Sequence, residues 1–260
     1  MTDDVLDGVL ERFAMRGPEF GPGLANHGPM AAEALVTLGR GEDVERWSEW
    51  YSRNLVDPPD ARNPIAPEDW REALGSMSRA GDWVVYFRRE LAGTPWRDVL
   101  DTWIDRLGPG LMAGATHGIL RVAHAVRALD REDTPQRIDE LACGFAYWAA
   151  RYQPIPDAPS ASASLSVPDA LARIAPLGPE AIRAGLIFKV VARIPAESIE
   201  GAADLVSVDT DLDAFVSDVT ATFVRQYMAN APAHGIGFIH TVTAPSALRS
   251  LAPHLQPDTL

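Results

Sequence analysis

Four of the six histidines stand in sequence contexts that favour chemistry. His117 and His124 are seven residues apart, which places them two turns apart on one face of a helix predicted over 110–130, with Arg121 between them. Small residues are predicted to share that face and to leave room beside the rings: Gly110, Ala113 and Gly114. Such a pair suits metal ligation, proton transfer or a plain core position in which each ring bonds to backbone. The spacing leaves these three interpretations open.

His27 and His240 stand at other predicted helix starts. His27 precedes Gly28 and Pro29 at the start of a helix predicted over 29–39, where the positive end of the helix dipole disfavours imidazolium. A neutral ring keeps a lone pair for a metal ion. His240 follows an apolar stretch that leads into a helix predicted over 243–252, so we expect it to be partly buried.

Lys189 is the only lysine among 23 basic residues, and it lies in an apolar segment of a helix predicted over 178–193. No Asp or Glu lies within one helical turn of it. Burial of the amine would lower its pKa, and a neutral amine can react with carbon dioxide to give a carbamate, a carboxylate-like metal ligand. The alternative is a lysine that extends to the surface and pairs with a remote carboxylate.

The elements that must position these residues are predicted to be helices, because the apolar periodicity is helical almost throughout. Trp83–Phe87 is the one candidate strand, and helix-forming residues follow it directly. Neither an alternating βαβ series nor a glycine-rich phosphate loop is present. We therefore predict an all-α fold: a single helical domain over 1–260, with a long flexible internal loop at about 153–168 and a metal site between helices. Helices are predicted at 4–16, 29–39, 42–55, 67–75, 83–92, 95–107, 110–130, 134–152, 168–175, 178–193, 211–230 and 243–252.

Composition excludes several function classes. Acidic residues outnumber basic ones 36 to 23, and the net charge of −13 argues against nucleic acid and anionic membrane surfaces as partners. No apolar run approaches the roughly 20 residues of a membrane span. The single cysteine, Cys143, has no partner for an intrachain disulfide, and no secretory signal is visible. These features predict a soluble, cytoplasmic protein.

The chain resembles the questin oxidase-like family in an ordered set of sequence blocks that spans almost its whole length. They are Asn26-His27-Gly28-Pro29-Met30, Trp96 to Trp103, Gly108 to Ala125 with its His117-Gly118-x-x-Arg121-x-x-His124 core, Glu140 to Trp148, the Lys189 helix, and His240-Thr241-Val242-Thr243. Relatives in that family include fungal oxygenases that oxidise or open the rings of anthraquinone-type polyketides. Iron-dependent relatives bind their metal through four histidines and a carboxylated lysine.

The resemblance implies a non-heme iron oxygenase of secondary metabolism that uses Fe(II), dioxygen and a small aromatic, polyketide-like substrate. Its metal ligands by motif position would be His27, His117, His124, Lys189 and His240. Arg121 would be a catalytic residue that orients an anionic substrate oxygen through paired hydrogen bonds. NADPH has no supporting motif, and the oligomeric state is not predicted. Two alternatives remain: a metal-independent or flavin-assisted Baeyer–Villiger-type oxygenase, and a non-catalytic helical small-molecule-binding protein.

Overall fold

The computed structural model describes residues 2–154, 165–174, 185–194, 205–207 and 211–259. In these ranges the protein is helical apart from one pair of two-residue strands, so the predicted all-α class is confirmed. The pattern of contacts between residues divides the chain into two compact units. The first is Met1–Gln153 with Ser250–Leu260, and the second is Pro154–Arg249. The single domain over 1–260 stays a prediction from the sequence.

The first unit contains eight α-helices among its described residues and one short hairpin. The helices are α1 (Thr2–Ala14), α2 (Gly28–Thr37), α3 (Gly41–Ser52), α4 (Trp70–Ala73), α5 (Ala80–Gly93), α6 (Trp96–Leu107), α7 (His117–Arg131) and α8 (Pro135–Ala150). Between α1 and α2, strands β1 (Glu19–Phe20) and β2 (Leu24–Ala25) pair antiparallel, with Glu19 opposite Ala25. The hairpin was not predicted, because two residues per strand are too few to show a period of two.

The helices of the first unit form because each has an apolar face to bury. In α1, Leu6, Leu10 and Phe13 recur at helical spacing and are fully or almost fully buried. They pack with Ala32 of α2 and Val44 of α3 in one cluster, so α1, α2 and α3 enclose a common core. This core holds the segment that carries His27.

Helix α8 packs against both α5 and α7 and is apolar on most of its surface. Its start is capped by Thr134, whose side chain accepts from the backbone N–H of Arg137 at 3.3 Å. On the α7 side, Gly118 lies so close to the Trp148 ring that an added Cβ would be 2.7 Å from it. This close approach seats the first turn of α7, where His117 lies, directly on α8.

Helix α7 begins at His117, seven residues later than the helix predicted from 110. Three successive residues, Gly114, Ala115 and Thr116, have φ angles of +56°, +57° and +68°, and a right-handed helix cannot continue through such a left-handed turn. The expectation that Gly110, Ala113 and Gly114 share a helical face with the histidines is therefore wrong. His117 and His124 do lie on one helix, as predicted.

The second unit contains α9 (Val167–Arg173), α10 (Ile187–Val191) and most of α11 (Leu212–Leu251), whose last two residues belong to the first unit. Arg249 donates to the Ser217 hydroxyl at 3.1 Å, although a straight helix would place residues 32 positions apart about 48 Å from each other. Helix α11 therefore folds back on itself between them, and Pro232 lies within this stretch. Two helices were predicted here, over 211–230 and 243–252; the intervening 231–242 is helical as well.

The predicted loop at about 153–168 has most of its length, 155–164, outside the described residues. At its edges, Gln153 forms an isolated bridge with Leu111, and α9 already begins at Val167. Of the helix predicted over 178–193, residues 178–184 lie outside the described ranges and α10 occupies 187–191. Among the described helices, none is both long enough and apolar enough to cross a membrane.

Candidate functional site

The site is built around two histidines that are 90 residues apart in the sequence. The Nε2 atoms of His27 and His117 are 2.9 Å apart, and their rings are almost perpendicular, with an interplanar angle of 86°. We call His27 and His117 the histidine pair. The sequence predicted both residues as site candidates, and the fold brings them together.

Each ring of the histidine pair is held through its other nitrogen. His27 Nδ1 lies 2.7 Å from the carbonyl oxygen of Ala25, and His117 Nδ1 lies 2.6 Å from that of Gly114. A carbonyl oxygen only accepts hydrogen bonds, so both Nδ1 atoms carry the proton and donate. With both rings neutral and both protons on Nδ1, the lone pairs of the two Nε2 atoms point toward each other across 2.9 Å.

The left-handed turn leaves the Gly114 carbonyl to His117, whose backbone N–H also donates to it at 3.4 Å. In a regular α-helix it would accept from the N–H of residue 118, but that N–H donates instead to Ala113, at 3.2 Å. Gly114 is the residue that the turn requires, since an added Cβ would be 2.5 Å from the hydroxyl oxygen of Tyr147. Positive φ angles at Ala115 and Thr116 are costly for non-glycine residues and are typical of functional sites.

His27 sits at the N-cap position of α2, as predicted. Its backbone N–H donates to the Tyr51 hydroxyl at 3.0 Å, and the Asn26 side chain accepts from the N–H of Gly28 at 2.9 Å, so the segment is fixed on both sides of the ring. Desolvation lowers the pKa of His27, with the Ala25 carbonyl opposing the shift. The residue nevertheless remains exposed, whereas His117 is buried. One member of the pair therefore faces solvent, and a ligand can reach the pair from that side.

His124 is held in the same way by a carboxylate. Its Nδ1 lies 2.7 Å from Oε2 of Glu33, a fully enclosed residue of α2 that also accepts from Thr37 at 2.7 Å and from Arg131 at 3.0 Å. Burial alone would raise the pKa of Glu33, but the hydrogen bonds from His124 and Thr37 outweigh it, and the pKa is lowered. An ionised Glu33 accepts a hydrogen bond from His124 Nδ1, which orients the ring and turns its Nε2 away from Glu33.

Arg121, the predicted catalytic residue, forms a bidentate pair with Glu140 of α8. Its Nε and Nη2 donate to the two carboxylate oxygens at 2.6 and 2.8 Å, and both side chains are buried. Burial alone would lower the pKa of Arg121, but the charge of Glu140 outweighs it and the pKa is raised. Two of its donors are thus committed to the protein, and its role in orienting substrate stays a prediction. We call Arg121, Glu140, His124, Glu33 and Arg131 the charged cluster.

Lys189 and His240 both lie in the second unit, in α10 and α11 respectively. Of the two alternatives for Lys189, the structure agrees with the one at the surface: the residue is exposed, and its Nζ lies 5.7 Å from the centre of the Phe188 ring. The helix around it spans only five residues, and none of them is buried. His240 is half-buried, in agreement with expectation. Ligation of a metal by Lys189 and His240 stays a prediction from the resemblance.

Across the described ranges, no group of three or more His, Cys, Asp or Glu side chains is close enough to hold one metal ion. The histidine pair supplies two converging nitrogens, and His124 is oriented but does not complete a set of three. Sequence reasoning missed the supports: Glu33, Glu140, Glu19 and Tyr147. Glu33 carried a signal, since it lies six residues after His27 in a predicted apolar helix, where an acidic residue needs a buried partner.

No family model, curated protein or solved structure matches the chain.

Proposed function

We propose that the protein is a metal-dependent oxygenase whose metal ion binds at the histidine pair, with Fe(II) as the functional ion and a small aromatic, polyketide-like molecule and dioxygen as substrates. The observation that carries the proposal is the separation of 2.9 Å between the Nε2 atoms of two rings that are each held in place through Nδ1. Two imidazole nitrogens that converge at this distance can both reach one cation.

Other arrangements satisfy the pair less well. If one ring carried its proton on Nε2 instead of Nδ1, that Nδ1 lone pair would face a carbonyl oxygen at 2.6 or 2.7 Å. An imidazolium at His27 would satisfy both bonds, but desolvation lowers the pKa of His27 and disfavours that charged form. Two imidazole nitrogens bound at right angles to one ion, each about 2.0–2.1 Å from it, lie about 2.9 Å apart. The pair therefore fits a metal ion.

The surrounding residues fit the same role. Histidine ligands usually donate their second ring N–H to a carbonyl or carboxylate, which fixes the tautomer and makes the ligating nitrogen more basic. His27, His117 and His124 all have such a partner, in Ala25, Gly114 and Glu33. We propose the first two as ligands and His124 as a third.

The choice of iron as the metal and of an aromatic molecule as the substrate rests on the sequence resemblance, because imidazole alone suits several first-row metals. Bound Fe(II) would bind dioxygen and activate it for reaction with the aromatic substrate. The protein's own part is to hold the two Nε2 atoms ready and to keep the ion accessible from the side of His27, which is exposed. Lys189 and His240 would add to the set of ligands as the resemblance implies.

The test is metal content and affinity, followed by turnover. Protein purified without chelator should contain about one first-row metal ion per chain, and metal-free protein should bind Fe(II) or Co(II) anaerobically. His27→Ala and His117→Ala should each abolish this binding. His254→Ala is the matched control, because His254 also bonds to a carboxylate, Asp130, in the same unit but lies outside the pair. Oxygen consumption with hydroxylated anthraquinones should require the metal.

Each other outcome selects a different function. Oxygen consumption by the fully metal-free protein would favour the metal-independent oxygenase. Absence of both metal binding and turnover would overturn the proposal and leave a helical binding protein. Unchanged metal binding in His117→Ala would show that the ion binds elsewhere.

A further inference from the structure

The two carbonyls that support the histidine pair belong to separate segments. The Ala25 carbonyl lies in β2, and the Gly114 carbonyl lies in the left-handed turn before α7. The distance between the Nε2 atoms therefore depends on how the hairpin is placed against the turn. A displacement of 1 Å between these segments would take the two nitrogens out of the range in which one ion contacts both.

One side chain connects the hairpin to helix α8. Glu19 lies in β1 directly opposite Ala25, so its position and that of the Ala25 carbonyl are fixed together. Its Oε1 accepts from the hydroxyl of Tyr147 at 3.0 Å and from Arg151 Nε at 2.6 Å. Both donors come from the C-terminal end of α8, and Tyr147 is buried.

The same tyrosine hydroxyl contacts the turn. Gly114 has its Cα against Tyr147 Oη, as the clash of an added Cβ with that oxygen demonstrates. Burial raises the pKa of Tyr147, and the nearby Glu19 carboxylate raises it further, so the hydroxyl keeps its proton and donates. One oxygen atom thus touches the backbone that supports His117 and bonds to the strand that supports His27.

We infer that Tyr147 and Glu19 are positioning residues, and that their hydrogen bond sets the separation of the His27 and His117 nitrogens. The inference rests on the proposed metal site and adds to it the contact that aligns its two halves. Neither residue contacts the ion. They act through the Gly114 and Ala25 carbonyls, which hold the rings.

The test is metal affinity in Tyr147→Phe. The ring stays in its pocket and Glu19 keeps its pair with Arg151, so the variant loses the hydroxyl that bonds to Glu19 and touches the turn, together with the contact of that hydroxyl with Arg151. We expect the affinity for Co(II) or Zn(II) to fall about 10- to 100-fold, the usual effect of removing a contact that orients a metal ligand. Titration against a chromophoric chelator measures it, and ¹⁵N shifts of the His27 and His117 rings in the metal-free protein should change as well.

Tyr86→Phe is the matched control. Tyr86 is as buried as Tyr147 and lies in α5 within the aromatic core, against Trp83 and Trp103, and it should bind metal like the wild type. A merely structural Tyr147 would lower the unfolding midpoint of the variant without changing the affinity of the folded protein. Equal affinity in Tyr147→Phe and wild type would overturn the inference and leave the metal site standing.

Failure of the wild type to bind metal would overturn the proposed function and this inference with it. If Tyr147→Phe does not fold, Glu19→Gln tests the inference instead, because it weakens the same Tyr147–Glu19 hydrogen bond at its acceptor. Its affinity should also fall, and wild-type affinity in a folded Glu19→Gln would count against the positioning role.

Discussion

The histidine pair and the charged cluster both include residues of helix α7, but they are held in different ways. In the charged cluster each buried charge meets an opposite one, as in the bidentate pair of Arg121 with Glu140. In the histidine pair a backbone carbonyl holds the outer nitrogen of each ring, and the two inner nitrogens face each other at 2.9 Å. We propose that a metal ion binds where these two nitrogens converge, whereas the charged cluster is held by ion pairs within the protein.

Under the proposed function, the charged cluster serves stability and the histidine pair serves ligand binding. A closed network of buried charges is costly to interrupt, because each partner is left desolvated and unpaired. A pair of preoriented lone pairs adds little to stability, since its favourable interaction is made with a ligand. The following predictions compare the two regions directly.

The largest effect is expected from Glu140→Gln in the charged cluster. Loss of the carboxylate leaves the Arg121 guanidinium buried without a counter-charge, so the free energy of unfolding should fall by about 3–5 kcal/mol. Asp139→Asn is the matched control, because Asp139 is the adjacent residue and pairs with Arg88 at the surface. It should cost less than about 1 kcal/mol. Urea unfolding measures the unfolding free energy of both variants. Similar losses would show that the buried pair stabilises the protein no more than the surface pair does.

A smaller effect is expected at the turn that supports the histidine pair. Thr116 and Thr222 are both buried, and neither hydroxyl has a hydrogen-bond partner among the described residues. They differ in backbone, since Thr116 has φ +68° and Thr222 lies within helix α11. Thr116→Gly should release strain of about 1–3 kcal/mol, which offsets the lost burial of the side chain, and should leave the midpoint of unfolding nearly unchanged.

Thr222→Gly should lose about 2 kcal/mol, because glycine in a helix costs about 1 kcal/mol and the buried methyl group is lost as well. Thermal unfolding followed by far-UV circular dichroism compares the two variants. A Thr116→Gly variant as unstable as Thr222→Gly would show that the turn stores no strain.

The smallest effect is expected from His27→Ala in protein kept free of metal by a chelator. The His27 ring is exposed and makes no hydrogen bond with the neutral His117 ring, so unfolding free energy should change by less than about 1 kcal/mol. Urea unfolding in the chelator measures the change. A loss above about 2 kcal/mol would contradict the comparison, because it would reveal a stabilising N–H···N hydrogen bond within the pair.

The sequence predicted the local part of the fold well. Apolar residues at helical spacing, such as Leu6, Leu10 and Phe13 in α1, mark buried faces whatever those faces later meet. Its errors fall where the backbone departs from a regular helix. The left-handed turn at 114–116 interrupts a segment whose apolar residues are spaced as in a helix, so the predicted helix began too early.

For the site, the sequence by itself determined that His27 begins a helix and that His117 and His124 share one. These are relations between residues a few positions apart, which the helical repeat fixes. Only the tertiary structure decided that the His27 and His117 nitrogens meet across 90 residues, that Arg121 is paired with Glu140, and that Lys189 is exposed. Such contacts depend on which faces pack together and at what distance, and local periodicity carries no information about either.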